Sequence, residues 1–131
     1  MEIKRLFDLL DRYREKFNKP VLFGGKIDGI WQRYSLQQHI ENSTNISYGL
    51  MKLGIQPGEK IISITTNRPE WNFLDMGIMM CGAIHVPVYP NISSDEYKHI
   101  FNHSEAKMIF VAGEEMYSRI KTILPECRNI E

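Results

Sequence analysis

The chain has 131 residues, with 16 Lys+Arg against 16 Asp+Glu and 43% hydrophobic residues, enough for one domain that buries roughly two-thirds of its unfolded surface. The balanced charge creates no field that would steer it toward nucleic acid or an anionic membrane, and its longest apolar run falls short of the ~18 residues that span a bilayer. Its two cysteines, Cys81 and Cys127, and the lack of a signal-peptide pattern make the cytoplasm the expected compartment, with small molecules or protein surfaces as expected partners.

At the start, Ile3, Leu6, Phe7, Leu10, Tyr13 and Phe17 recur at helical spacing between charged residues, which predicts an amphipathic helix over 3–17 with an Asp8 to Arg12 pair one turn apart. Asn18 and Pro20 should stop it. Val21 to Phe23 and Ile30 to Tyr34 are expected as short strands of a hairpin joined by the loop Gly24 to Gly29.

Ser35 and Gln38 have the spacing of a capping box, so a second helix should follow, presenting Ile40, Ile46, Leu50 and Leu53 and ending at Gly54. Ile61, Ile62, Ile64 and Thr65 form a β-branched run too dense for a one-sided strand, which predicts a buried parallel strand. Asn67 is the expected cap of the next helix, with Pro69 in its first turn and Trp71, Leu74, Ile78 and Cys81 facing inward. Ile84 to Val88 reads as a strand in which Pro87 requires an end or edge position. Ser93 and Glu96 form a second capping box for a helix through His103, Lys107 to Val111 a third strand, and Glu114 to Leu124 a last helix closed by Pro125. Arg128-Asn129-Ile130 reads as the approach to a further strand.

These elements predict an α/β fold: a three-layer parallel-sheet unit of βα repeats over residues 35–131, preceded by a helix and hairpin over 1–34. From Lys60 to Ala112 the order is strand, helix, strand, helix, strand, with no complete catalytic constellation.

Gly24, Gly25 and Gly29 are rich enough for a phosphate loop, but strand rather than a helix N-terminus follows, so a hairpin is expected. Glu96, His99 and His103 share a helix face and would offer a metal three donors, yet no fourth group is evident, and two solvated histidines is the reading adopted. His39 lies in a polar stretch, and His85 in an apolar strand where a satisfied structural imidazole is expected. Cys81 reads as a small buried hydrophobe and Cys127 as exposed; Met76, Met79 and Met80 read as core, and Asp8, Asp11 and Glu15 form no convergent acid/base pair. Local structure leaves Asn67-Arg68-Pro69-Glu70-Trp71 and Gly82 to Pro90 incompletely explained, and both lie at carboxyl ends of strands, where open α/β sheets place ligand crevices.

Those two stretches, with Leu53-Gly54-Ile55, Pro57-Gly58-Glu59-Lys60 and Ser104-Glu105-Ala106-Lys107 in the same order, resemble the amino-terminal part of AMP-forming acyl-CoA synthetases, over about Ile30 to Val111. Tyr89-Pro90 with Ile92-Ser93 is most similar to the long-chain fatty acid branch. The resemblance implies a two-step reaction in which a fatty acid and ATP give an acyl-adenylate and CoA then takes the acyl group, with Mg accompanying ATP. It also implies that the phosphate loop, nucleotide contacts, acyl pocket and catalytic lysine lie beyond Glu131. Asn67, Arg68, Glu70, Trp71, Pro87 and Tyr89 match family positions and are read as structural; no catalytic, cofactor-binding or metal-binding residue is assigned. The expectation is thus an inactive amino-terminal part of a partial subdomain. The rival is a self-standing module that associates with itself or a protein partner through an open sheet edge, and a flavodoxin-like domain is disfavoured by the absence of a phosphate-cradling loop after the first strand.

Overall fold

The computed structural model describes residues 2–17 and 19–130. The chain forms two compact units. The first comprises residues up to Gly54 together with Arg68–Cys81, and the second comprises Ile55–Asn67 and the residues from Gly82 onward.

In the first unit, helix α1 spans Asp8–Lys16, later than its apolar periodicity predicts. The Asp8 carboxylate accepts from the backbone N–H groups of Lys4 and Arg5 and from the Arg5 guanidinium, fixing residues 4–7 as a separate turn. Arg5, not Arg12, is therefore the partner of Asp8, while Asp11 pairs with Arg14. Arg5 holds the Asp8 carboxyl below its ordinary pKa by hydrogen bonding. The expected stop at Asn18 lies outside the described residues.

Strands β1 (Phe23–Ile27) and β2 (Ile30–Tyr34) pair antiparallel with Ile27 opposite Ile30. The expected Gly24 to Gly29 loop is corrected by this register. Gly24 to Ile27 are strand, and the turn is Asp28-Gly29, both at positive φ (50° and 79°), the conformation of a two-residue turn that matches strand twist. Gly25 is required for a different reason, since a Cβ there would stand 2.8 Å from the Pro69 ring.

Helix α2 (Leu36–Lys52) opens on the expected capping box, Ser35 accepting from Gln38 N–H while the Gln38 side chain accepts from Ser35 N–H. Gly54 at φ 92° follows its end. Of its expected inward face Leu50 is buried, but Ile40 and Ile46 are only half-buried. His39, Ser43, Ser47 and Leu50 are buried, whereas Leu53 is 70% exposed. Helix α3 (Pro69–Met80) packs on α2. Its N-cap is Arg68 rather than Asn67, and no side chain caps it. Phe73 and Gly77 join Leu74, Ile78 and Cys81 on its buried face, while Trp71 is only half-buried. Gly77 sets the closeness of α2 and α3, because a Cβ there would meet the Ile46 side chain at 2.6 Å and the Ser43 carbonyl at 2.8 Å.

The second unit contains a three-stranded parallel sheet in the order β4-β3-β5. Strand β3 (Lys60–Ile64) is central and buried from Ile61 through Ile64, as expected of a strand with neighbours on both sides. Strand β4 (Ile84–Val88) is an outer strand of this sheet, so the missing N–H of Pro87 breaks no ladder. Strand β5 (Met108–Val111) is the other. One face carries Ile62, Ile64 and Val88 against Tyr97 and Phe101 of helix α4 (Ser94–Ser104) and Ile120 of helix α5 (Glu114–Lys121). Helix α4 starts at the expected Ser93/Glu96 capping box. Helix α5 stops at Lys121, short of the expected Leu124, and Pro125 falls inside a 3-10 turn over Leu124–Glu126 instead of closing the helix. Residues 127–130 form no strand. No described helix is long and apolar enough to cross a membrane.

Candidate functional site

Parallel strands deliver their following residues to one rim of the sheet, where open α/β folds place ligands. Here β3 is followed by Thr65-Thr66, β4 by Tyr89-Pro90 and β5 by Ala112-Gly113. The turn after β4 is fixed by side chains from both helices of the unit. The Tyr97 hydroxyl donates to the Tyr89 carbonyl at 2.9 Å, and the Arg119 guanidinium donates to the carbonyls of Pro90 (2.9 Å) and Ile92 (2.8 Å). The guanidinium also lies 5.8 Å from the Tyr97 ring centre. Burial raises the Tyr97 phenol above its ordinary pKa, keeping it a donor. The backbone of this turn is therefore held while the Tyr89 side chain is 79% exposed at the rim. Arg119 carried no sequence signal, because its role depends on a contact 27 to 29 residues away.

Below the rim, Ser63 Oγ and His85 Nε2 are 2.7 Å apart. They lie on neighbouring strands and on the face opposite Ile62 and Ile64. No spacing rule links residues 22 apart, so the sequence did not show the pair. Ser63 is 1% exposed, and a substrate carbonyl cannot reach its hydroxyl. The pair satisfies two polar groups within the sheet, the structural imidazole expected for His85.

In the first unit, Arg68 Nε donates to Glu70 at 2.9 Å. That bond lowers the Glu70 pKa and raises that of Arg68. Glu70 borders an open cleft of about 480 Å³ whose other walls are Tyr34, Asn42, Asn45, Ile46 and Phe73. Of the stretch Asn67 to Trp71, then, Arg68 and Glu70 form an ion pair at the start of α3, and Pro69 packs on Gly25 of the hairpin.

The remaining candidates are separated. Glu96 serves the Ser93 cap rather than the histidines, while the His99 and His103 rings stack at 5.6 Å. Among the described residues no group of three or more His, Cys, Asp and Glu is placed to hold a metal. Cys81 is buried as expected. Cys127 is not exposed: it packs on the core of the second unit, its thiol donates to the Ile123 carbonyl, and burial raises its pKa. Met76, Met79 and Met80 are half-buried.

The second unit is thus an α/β domain portion with a parallel sheet, a braced turn at the carboxyl rim and no assembled acid/base site among its described residues. Residues 11–130 match the family model described as AMP-binding enzyme, and the chain belongs to that family. It is 26% identical over 113 residues to the long-chain-fatty-acid–CoA ligase FadD15 of Mycobacterium bovis, covering 84% of this chain and 19% of that protein. It is 32% identical over 119 residues to the crotonobetaine/carnitine–CoA ligase of Shigella sonnei, covering 87% of this chain and 22% of that protein. The crystal structure of the anthranilate CoA ligase AuaEII superposes with a TM-score of 0.81 at 25% identity, over 95% of this chain and 23% of that one. The chain spans about a fifth of the length of the curated relatives it matches.

Proposed function

We propose that this chain is the amino-terminal α/β portion of an ATP-dependent long-chain fatty acid–CoA ligase, supplying scaffold to acyl-adenylate and acyl-CoA formation and performing neither step alone. The observation that carries the reading is the family match over residues 11–130 combined with the alignment to a long-chain ligase over 113 residues. The side chains described here support a scaffold role: Arg119 and Tyr97 brace a rim turn, Ser63 and His85 satisfy each other, and Arg68 neutralises Glu70. In the full-length enzyme ATP, Mg and CoA are the cofactors and substrates, and a fatty acid is the acyl donor.

The 32% identity to a crotonobetaine/carnitine ligase favours a second reading of the acyl group, a short polar carboxylate. Two measurements test the proposal. Pyrophosphate release by the purified 131-residue chain with ATP, Mg, CoA and palmitate is expected to stay at background, and turnover would overturn the scaffold reading. If the reading frame continues into a Ser/Thr/Gly-rich phosphate loop ending in Lys, the whole enzyme assayed with palmitate and with crotonobetaine decides the acyl class. A frame without that loop would overturn the ligase reading.

A further inference from the structure

His39 is the one imidazole among the described residues that is almost completely enclosed, at 1% exposure, and its Nδ1 has no hydrogen-bond partner. One helical turn further along α2, Ser43 Oγ is in the same situation at 0% exposure. The His39 ring is packed between two other elements of its unit. Phe23 of β1 lies 4.9 Å away edge-on, and Phe73 of α3 lies 5.3 Å away. Phe23 and Phe73 also meet at 6.3 Å, and Tyr34 of β2 meets Phe73 at 5.2 Å. His39 therefore belongs to the aromatic cluster, centred on Phe73, that joins the β-hairpin to the two helices.

A neutral imidazole fits such a place as a flat, weakly polar ring. An imidazolium does not, because it carries a full charge out of water and must donate from both nitrogens, and the enclosed Nδ1 has no acceptor. The neighbouring Phe23 and Phe73 rings, one perpendicular to the imidazole and one tilted, offer a cation only partial compensation. Among the described residues no carboxylate offsets that charge, and burial alone acts on the ring. The charged and titratable groups on the surrounding elements are Lys26, Asp28, Arg33 and Tyr34 on the hairpin, Glu41, Tyr48 and Lys52 on α2, and Glu70 and Asp75 on α3. Lys26 lies over the Trp31 ring, Glu41 accepts from Gln37 and Glu70 is paired with Arg68.

We propose that His39 is an acid-sensitive latch, whose protonation frees the hairpin Phe23–Tyr34 from helices α2 and α3. Burial alone sets the direction of its pKa, which is lowered from the ordinary histidine value. The unfolded or undocked state then binds the proton more readily than the docked one. The latch contributes fully above pH ~6.5 and weakens as pH falls from there toward the depressed docked-state pKa, below which the loss levels off. A two-stranded hairpin alone is marginally stable in water, so undocking exposes its amides to exchange.

Hydrogen exchange on the 131-residue chain, corrected for intrinsic rates, tests this between pH 7.5 and pH 5. The Gly25 and Gln32 amides, which face each other across the ladder, are expected to lose protection severalfold as the imidazole takes up its proton. Ile61 and Ile62 in the other unit should hold theirs. In H39L the hairpin response should disappear. An unresponsive wild-type hairpin, or an H39L protein that responds like wild type, overturns the proposal. Should H39L not fold, the imidazole carbon shifts of wild-type His39 decide: a midpoint below that of an unperturbed histidine, shared with the hairpin amides, supports the latch. A midpoint at the ordinary value or one not shared with the hairpin overturns it.

Discussion

The two units solve the problem of an interior in opposite ways. The second packs isoleucines of one sheet face against Tyr97, Phe101 and Ile120, and Ser63 is its only buried polar residue among those described. The first buries Asp8, His39, Ser43 and Ser47 beside Phe73 and Leu50, and brings α2 and α3 together at Gly77. An apolar core is held by volume that must not be lost. A helix pair at close approach is held by volume that must not be added, and its enclosed His39 is the group proposed to make it respond to pH.

That contrast is open to direct attack. The largest effect is expected from F101A, which removes a ring at 1% exposure from the second unit. A buried Phe→Ala change costs about 3 to 5 kcal/mol, and urea unfolding followed by the β3 amides should show a matching fall in midpoint. If F101A cost less than 1 kcal/mol, the cluster would not be the core of that unit.

The reverse change, G77V, should damage the first unit. Its Cβ would stand within 3 Å of both Ile46 and the Ser43 carbonyl, and overpacking of this kind costs about 1 to 3 kcal/mol. G49A is the internal control on the neighbouring helix, since nothing lies within 4 Å of a Cβ there, and it should stabilise by up to about 1 kcal/mol through helix propensity. Thermal melts of the two variants moving in the same direction would refute close packing at Gly77.

The smallest effects should distinguish nothing between the units. Ser35 and Ser93 each accept from an N3 amide in a complete capping box, so S35A and S93A should each cost about 1 kcal/mol, measured by chemical denaturation. A difference of several fold would mean that one cap also serves packing that the structure does not reveal.

The legible part of the fold was the part set by local rules. Both capping boxes, the strand Ile84–Val88, the buried run at Ile61 and the edge position of Pro87 follow from periodicity, turn chemistry and the missing proline donor. The hairpin was misplaced although Asp28-Gly29 is itself a strong turn signal, because Gly24-Gly25 looked loop-like, whereas they are strand residues that pair across from Arg33 and Gln32. The helix α2 face was misread because a sum over hydrophobicity favours Leu53 and ignores Ser43, whereas close approach to α3 selects small residues.

By itself the sequence determined the α/β class, the order of its elements and the membership of a family, since each rests on neighbours along the chain or on an ordered set of short motifs. Only the tertiary structure decided that Arg119 braces the turn after β4, that Ser63 meets His85, and that His39 is enclosed by Phe23 and Phe73. Each of these joins side chains from different elements. The registers and packing distances that bring them together are properties of folded geometry, with no period or spacing along the chain to announce them.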